Sequence, residues 1–101
     1  MERIERIKEM EAALDTSREA VDQLSDAVAA LVDAMDGLQA LSGYYGSQTW
    51  FKDREADERG KLPDDLKRGV LSEDVPYDLL IDAREVALGA LEAATATLRA
   101  L

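Results

Sequence analysis

Four carboxylates lie close together in the segment DREADERG at residues 53–60, a pattern that could bind calcium or carry acid–base chemistry. A calcium-binding loop needs glycine at its sixth position, which Glu58 occupies here. On a helix, Asp53 and Asp57 would share one face. Arg54 would lie one turn before Glu58, as its ion-pair partner. The spacing therefore favours a charged, solvent-exposed helix over a metal site.

The remaining side chains offer no activated nucleophile. The sequence contains neither histidine nor cysteine, so Ser42, Ser47 and Ser72 have no imidazole that could take up a proton. It also contains no glycine-rich phosphate loop and no nucleophile-elbow motif. We therefore predict no catalytic residue, no metal ligand and no cofactor, and the sequence leans against enzymatic activity.

An aromatic cluster next to basic residues is the strongest candidate for a functional surface. Four aromatic side chains lie within eight residues: Tyr44, Tyr45, Trp50 and Phe51. Aromatic residues and arginine are enriched at protein interfaces. The candidate partner-binding residues are therefore Tyr45, Trp50, Lys67 and Arg68. Alternatively, about half of the aromatic residues fill a core, and the Lys67-Arg68 pair complements the dipole of its own short turn.

The charge balance excludes several partners. The net charge of the 101 residues is −10, whereas nucleic acids and anionic membranes are bound by basic patches. The first residues are densely charged and contain no apolar run, which argues against a secretory signal and a membrane span. We therefore expect a cytoplasmic protein that binds neither nucleic acid nor membrane. An acidic decoy of nucleic acid is a less favoured alternative.

Apolar residues at alternating steps of three and four predict a long N-terminal helix over about residues 2–42. We call this row the apolar seam; its members are Ile7, Met10, Leu14, Val21, Leu24, Val28, Leu31, Met35 and Leu38. Ser17 is its one polar position. A row of small residues runs beside it at intervals of seven: Ala13, Ala20, Ala27 and Ala34. These alanines would let a neighbouring helix approach closely.

A second long helix is predicted over about residues 73–99. Ser72 is a suitable N-cap, and Pro76 lies in the first turn, where its missing N–H costs nothing. The apolar stripe from Leu80 to Leu101 would face a partner. We expect this helix to run antiparallel to the first.

The segment between the two long helices, residues 43–71, is predicted to be a compact helical cap. A short charged helix over residues 48–59 would end at Gly60. A single turn over residues 64–68 would follow and end at Gly69. The fold class is therefore all-α, with two long amphipathic helices joined by the cap.

The cap resembles an uncharacterised bacterial family, the domain of unknown function 4298. The resemblance is carried over residues 44–80 by Tyr44, Tyr45, Ser47, Trp50, Asp53, Glu58, Gly60, the segment LPDDLKRGVLSED, Tyr77 and the leucine pair that follows. It implies a small cytoplasmic helical protein. It implies no reaction, cofactor or catalytic residue.

The sequence predicts a single domain over residues 1–101 that forms a homodimer in the arrangement of a four-helix bundle, because the apolar seam and the alanine row exceed what one partner helix covers. The leading functional hypothesis is a non-enzymatic interaction or adaptor protein that binds an unidentified protein through the cap around residues 44–77. The alternative is a small-ligand or metal-binding protein, or an enzyme. Its pocket would lie under the cap, lined by Tyr45, Trp50 and the acidic residues 53–58.

Overall fold

A computed structural model of the protein describes residues 2–101 and consists of helices and turns. Helix α1 spans Arg3–Tyr44, α2 spans Gln48–Glu58 and α3 spans Asp74–Ala100. A 3₁₀ helix over Gly69–Leu71 lies between α2 and α3. The predicted all-α class is confirmed, and the predicted bounds of all three α-helices hold to within two residues.

Helix α1 is one uninterrupted helix of 42 residues. The Glu2 carboxylate accepts the first free backbone N–H groups, with 2.8 Å from the Ile4 nitrogen to Oε1. Leu38 at the end of the apolar seam is half-buried, whereas its other large side chains remain exposed, from 39% at Met35 to 61% at Leu24. The helix ends at Tyr44, and Gly46 continues the chain with a φ of +77°, which favours glycine.

Helix α2 has a well-defined cap at each end. The Ser47 hydroxyl accepts the Trp50 backbone N–H at 3.2 Å, as an N-cap residue does. At the other end Gly60 has a φ of +69°, and its N–H donates to the Asp57 carbonyl at 2.9 Å. The Lys61 N–H donates to the carbonyl one residue further back, at 3.0 Å. The prediction that Gly60 closes this helix is therefore confirmed.

The chain between Gly60 and α3 differs from the prediction. A turn forms from Pro63 to Leu66, whose N–H donates to the Pro63 carbonyl at 3.1 Å, so the predicted helical turn over residues 64–68 is wrong. Gly69 begins the 3₁₀ helix and does not end a turn. The physical reason is Arg68, whose guanidinium donates to the Pro63 and Leu66 carbonyls and satisfies acceptors that a helical turn would use.

Helix α3 begins as predicted. The Ser72 hydroxyl accepts the Val75 N–H at 3.1 Å, and Ser72 itself is extended, with a ψ of 155°. Pro76 lies in the first turn and is buried. Beyond this turn, Leu80 and Ala83 of the apolar stripe are half-buried, and its large side chains further along are exposed, 64% at Leu91 and 78% at Leu98.

Packing contacts divide the chain into two units, one that ends at Leu38 and one over Gln39–Leu101. The apolar seam lies in the first unit, and the cap lies in the second. The antiparallel pairing of the two long helices, and the single domain over residues 1–101, stay predictions. Within residues 2–101, no helix has the length and apolar character that crossing a membrane would require.

Candidate functional site

Trp50 is the centre of the cap. It projects from the first turn of α2, and its side chain is only 3% exposed. The indole Nε1–H donates to the Val70 carbonyl at 2.9 Å, so the ring ties α2 to the 3₁₀ helix. Leu71, on the same 3₁₀ helix, is 9% exposed. A buried indole needs such an acceptor, because an unpaired N–H in an apolar interior is costly.

Three side chains surround the Trp50 ring. Tyr45 and Phe51 meet it edge to face, with ring centroids 5.0 Å and 4.9 Å from the indole. The Arg54 guanidinium lies over the ring at 4.8 Å, in the position of a cation–π contact. The Tyr45 hydroxyl also donates to the Glu73 carbonyl at 3.0 Å. The aromatic cluster therefore holds α2 against the residues that precede α3.

Arg54 pairs across the cap and not along its own helix. Its guanidinium lies 3.2 Å from the Glu73 carboxylate, so the predicted pair of Arg54 with Glu58 is wrong. The local pair on α2 is instead formed by Arg59 with Glu55. The Arg54 guanidinium thus lies over the Trp50 ring and contacts Glu73, just before the start of α3, at the same time.

Arg68 connects the loop to α2. Its Nη1 donates to the Asp57 carboxylate at 2.5 Å, its Nε donates to the Leu66 carbonyl at 3.2 Å, and its Nη2 donates to the Pro63 carbonyl. The side chains of Arg68 and Asp57 are both half-buried. A planar guanidinium can serve three acceptors at once, which a lysine ammonium at this place could not do in the same geometry.

Tyr44 and Asp53 form a further tie, between the end of α1 and α2. The Tyr44 hydroxyl donates to the Asp53 carboxylate at 2.5 Å. This hydrogen bond, with burial and the negative charge of Asp53 adding to it, raises the pKa of Tyr44 to about 12 from an ordinary 10.0. Asp53 and Asp57, which were considered as ligands or catalytic acids, are thus each paired with a side chain of the cap.

An apolar groove of about 310 Å³ opens beside the cap. It is lined by Leu41, Lys67, Gly69, Val70, Val75, Pro76 and Leu79. Its lining does not include Tyr45, Trp50 or the acidic residues 53–58, around which a ligand pocket was predicted. Within residues 2–101, no group of three acidic side chains is arranged to hold a metal ion.

The four predicted partner-binding residues have different environments. Trp50 is buried, Tyr45 and Arg68 are half-buried and hydrogen-bonded, and Lys67 is exposed at the groove. Their role in binding a partner stays a prediction. Sequence reasoning missed the apolar side of the groove, which Leu41 and Leu79 help to form. The four-residue step between Val75 and Leu79 was the available signal.

The comparisons with known proteins give one match. A model of the family described as a domain of unknown function (DUF4298) matches residues 7–93, which include the apolar seam and the whole cap. No curated protein and no solved structure matches the chain. The match confirms the resemblance carried by the cap residues. Because this match covers most of the chain, the chain belongs to the DUF4298 family.

Proposed function

We propose that the protein is a non-enzymatic protein–protein interaction module that binds other helices through the apolar seam of α1. The cap is a separately packed region that presents Lys67 and the apolar groove at its surface. The cytoplasmic location expected from the sequence belongs to this proposal.

The single observation that carries the proposal is the exposure of the apolar seam. Eight of its large side chains, from Ile7 to Met35, are 39–61% exposed on one helix. Complete burial of such a side chain contributes about 1.5–3 kcal/mol, so covering the exposed half contributes about 1 kcal/mol at each position. Contiguous apolar surface of this kind is typical of interaction sites.

The spacing of the seam indicates what binds there. Steps of three and four residues place the apolar side chains on a stripe that winds slowly around the helix, so a second helix can follow it by supercoiling and pack knobs into holes. The opposite face of α1 carries carboxylates, such as Asp26 and Asp33, which stay in water. A partner helix with its own apolar stripe therefore fits α1, and a second copy of the protein has one.

A substitution in the middle of the seam tests the proposal. Leu24→Asp places a charge in the proposed contact, and we expect it to reduce self-association by at least about 100-fold, roughly 3 kcal/mol. The control is Ala12→Asp, which adds the same side chain to the exposed opposite face of α1. Sedimentation equilibrium gives the mass of each variant.

We expect the wild type and Ala12→Asp to sediment above the 11.1 kDa of one chain, and Leu24→Asp to sediment as a monomer. A wild-type protein that stays at 11.1 kDa throughout the micromolar range would contradict self-association.

A further inference from the structure

The charges of α1 are unevenly distributed along its length. Residues 2–18 contain four basic and five acidic side chains. Residues 19–44 contain five acidic side chains and no basic one. The first part of the helix is therefore nearly neutral and carries all of its cations, whereas the second part is purely acidic.

Most of these cations have no partner within the chain. In the structure of residues 2–101, Arg3, Arg6 and Lys8 form no ion pair, and Arg18 reaches Asp22 one turn away at 3.8 Å. Asp22 is therefore the one paired acid of the second part, and its other acidic residues, Glu19, Asp26, Asp33 and Asp36, form no ion pair in that range. Complementary charges thus lie at opposite ends of the same exposed helix.

We infer that a second copy of the chain binds the apolar seam with its α1 antiparallel, so that the cations of each copy lie beside the acidic half of the other. This inference rests on the proposed function and adds the identity and the direction of the partner. A parallel pair would align the two acidic halves with each other. Like charges along that length disfavour the parallel arrangement, and the two helix dipoles also disfavour it.

The seam has a register that suits the antiparallel pair. In a two-fold symmetric pair, residues whose numbers add up to 45 face each other, which places Met10 against Met35 and Leu14 against Leu31. The same register places the alanine row of one copy beside the alanine row of the other. A parallel pair would instead place Ala13 beside Arg18, and this would hold the helices apart at that flank.

Disulfide cross-linking tests the direction. The chain contains no cysteine, so Met10→Cys and Met35→Cys each have a single thiol. A disulfide needs Cα atoms about 4.4–6.8 Å apart, so it forms only between residues that face each other. The two variants are oxidised separately and as an equal mixture, and the linked dimer is measured on a non-reducing gel.

We expect the mixture to give at least about tenfold more linked dimer than either variant alone, since residue 10 of one copy faces residue 35 of the other. Linkage of each variant to itself would overturn the antiparallel direction and leave self-association intact.

A second pair, Leu14→Cys with Leu31→Cys, guards against a single misfolded variant, and circular dichroism checks the helicity of all four. If the variants still associate but neither pair cross-links, then the two seams are not in contact and the inference is wrong. If neither the variants nor the wild type associates, the self-association expected under the proposed function is ruled out together with the inference.

Discussion

Trp50 in the cap and Leu24 in the apolar seam are both large apolar side chains on helices, yet Trp50 is 3% exposed and Leu24 is 61% exposed. In the cap, polar groups accompany the apolar contact: the Trp50 indole, the Tyr45 hydroxyl and the Arg68 guanidinium all donate to backbone carbonyls. Along the seam, the backbone hydrogen bonds are those of the helix itself.

The difference shows how each region obtains its specificity. Hydrogen bonds from side chains to particular carbonyls tolerate few arrangements, because a donor that loses its acceptor on burial is costly. The cap is therefore held in one conformation by its own residues. A heptad row accepts any helix with a similar row, so the seam depends on charge and on the size of flanking residues to choose a partner.

The largest effect should come from removing the centre of the cap. Trp50→Ala is expected to lower the free energy of unfolding of the cap by about 3–5 kcal/mol, since a large buried side chain leaves a cavity. The control is the neighbouring Phe51→Ala, which is 58% exposed and should cost about 1 kcal/mol. Hydrogen exchange of the backbone amides of residues 61–73 measures the stability of the cap in both variants.

The same Trp50→Ala variant should retain the self-association of the wild type, because the seam lies in the other unit. If Trp50→Ala lost both cap stability and self-association, the cap and the seam would depend on each other. Equal losses of cap stability in Trp50→Ala and Phe51→Ala would contradict the central place of Trp50.

A smaller effect is expected from replacing Arg68, in the loop between Gly60 and α3. Arg68→Ala should lower the free energy of unfolding of the cap by about 1.5–3 kcal/mol, because a half-buried, charge-assisted set of hydrogen bonds is lost. Arg68→Lys should recover only part of this loss. Arg59→Ala is the matched control, as its pair with Glu55 is exposed and should contribute less than about 1 kcal/mol. Urea titrations followed by tryptophan fluorescence distinguish the three; similar midpoints for Arg68→Ala and Arg59→Ala would refute the role of Arg68.

The smallest effect is confined to high pH. The pKa of Tyr44 is raised to about 12, above the 10.0 of a free tyrosine, so the folded protein favours the protonated phenol. This contribution to stability is complete below pH 10 and is lost as the pH rises through about 12. Absorbance of tyrosinate should show one of the three tyrosines titrating late.

Asp53→Asn should move this late titration back towards the ordinary pKa, because the carboxylate that opposes ionisation of Tyr44 is gone. Asp64→Asn, in the exposed loop, should leave it in place. An unchanged titration in Asp53→Asn would rule out the carboxylate as the cause.

The helices of both regions were predictable from the sequence because their signals are local. The heptad row indicated α1, and Ser72 indicated the start of α3. Gly60 indicated the end of α2, because glycine readily adopts the positive φ found just after a helix. Each signal acts within one or two turns, which is the range over which spacing and capping operate.

The ties within the cap could not be predicted in the same way. The predicted partner of Arg54 was Glu58, four residues along the helix. The actual partner, Glu73, lies 19 residues away in the sequence and is brought close by the fold. Arg68 was interpreted as a surface cation, because nothing in its neighbourhood indicates that Asp57 and the Pro63 carbonyl will surround it. Such contacts depend on where loops bring distant residues.

The long ties of the cap also set an order of folding. The hydrogen bond from Trp50 joins residues 20 apart, and the bond from Tyr45 joins residues 28 apart, so each requires a loop to close first. Helix α1 needs only neighbours four residues away and elongates much faster. Helix α1 therefore forms before the long hydrogen bonds of the cap.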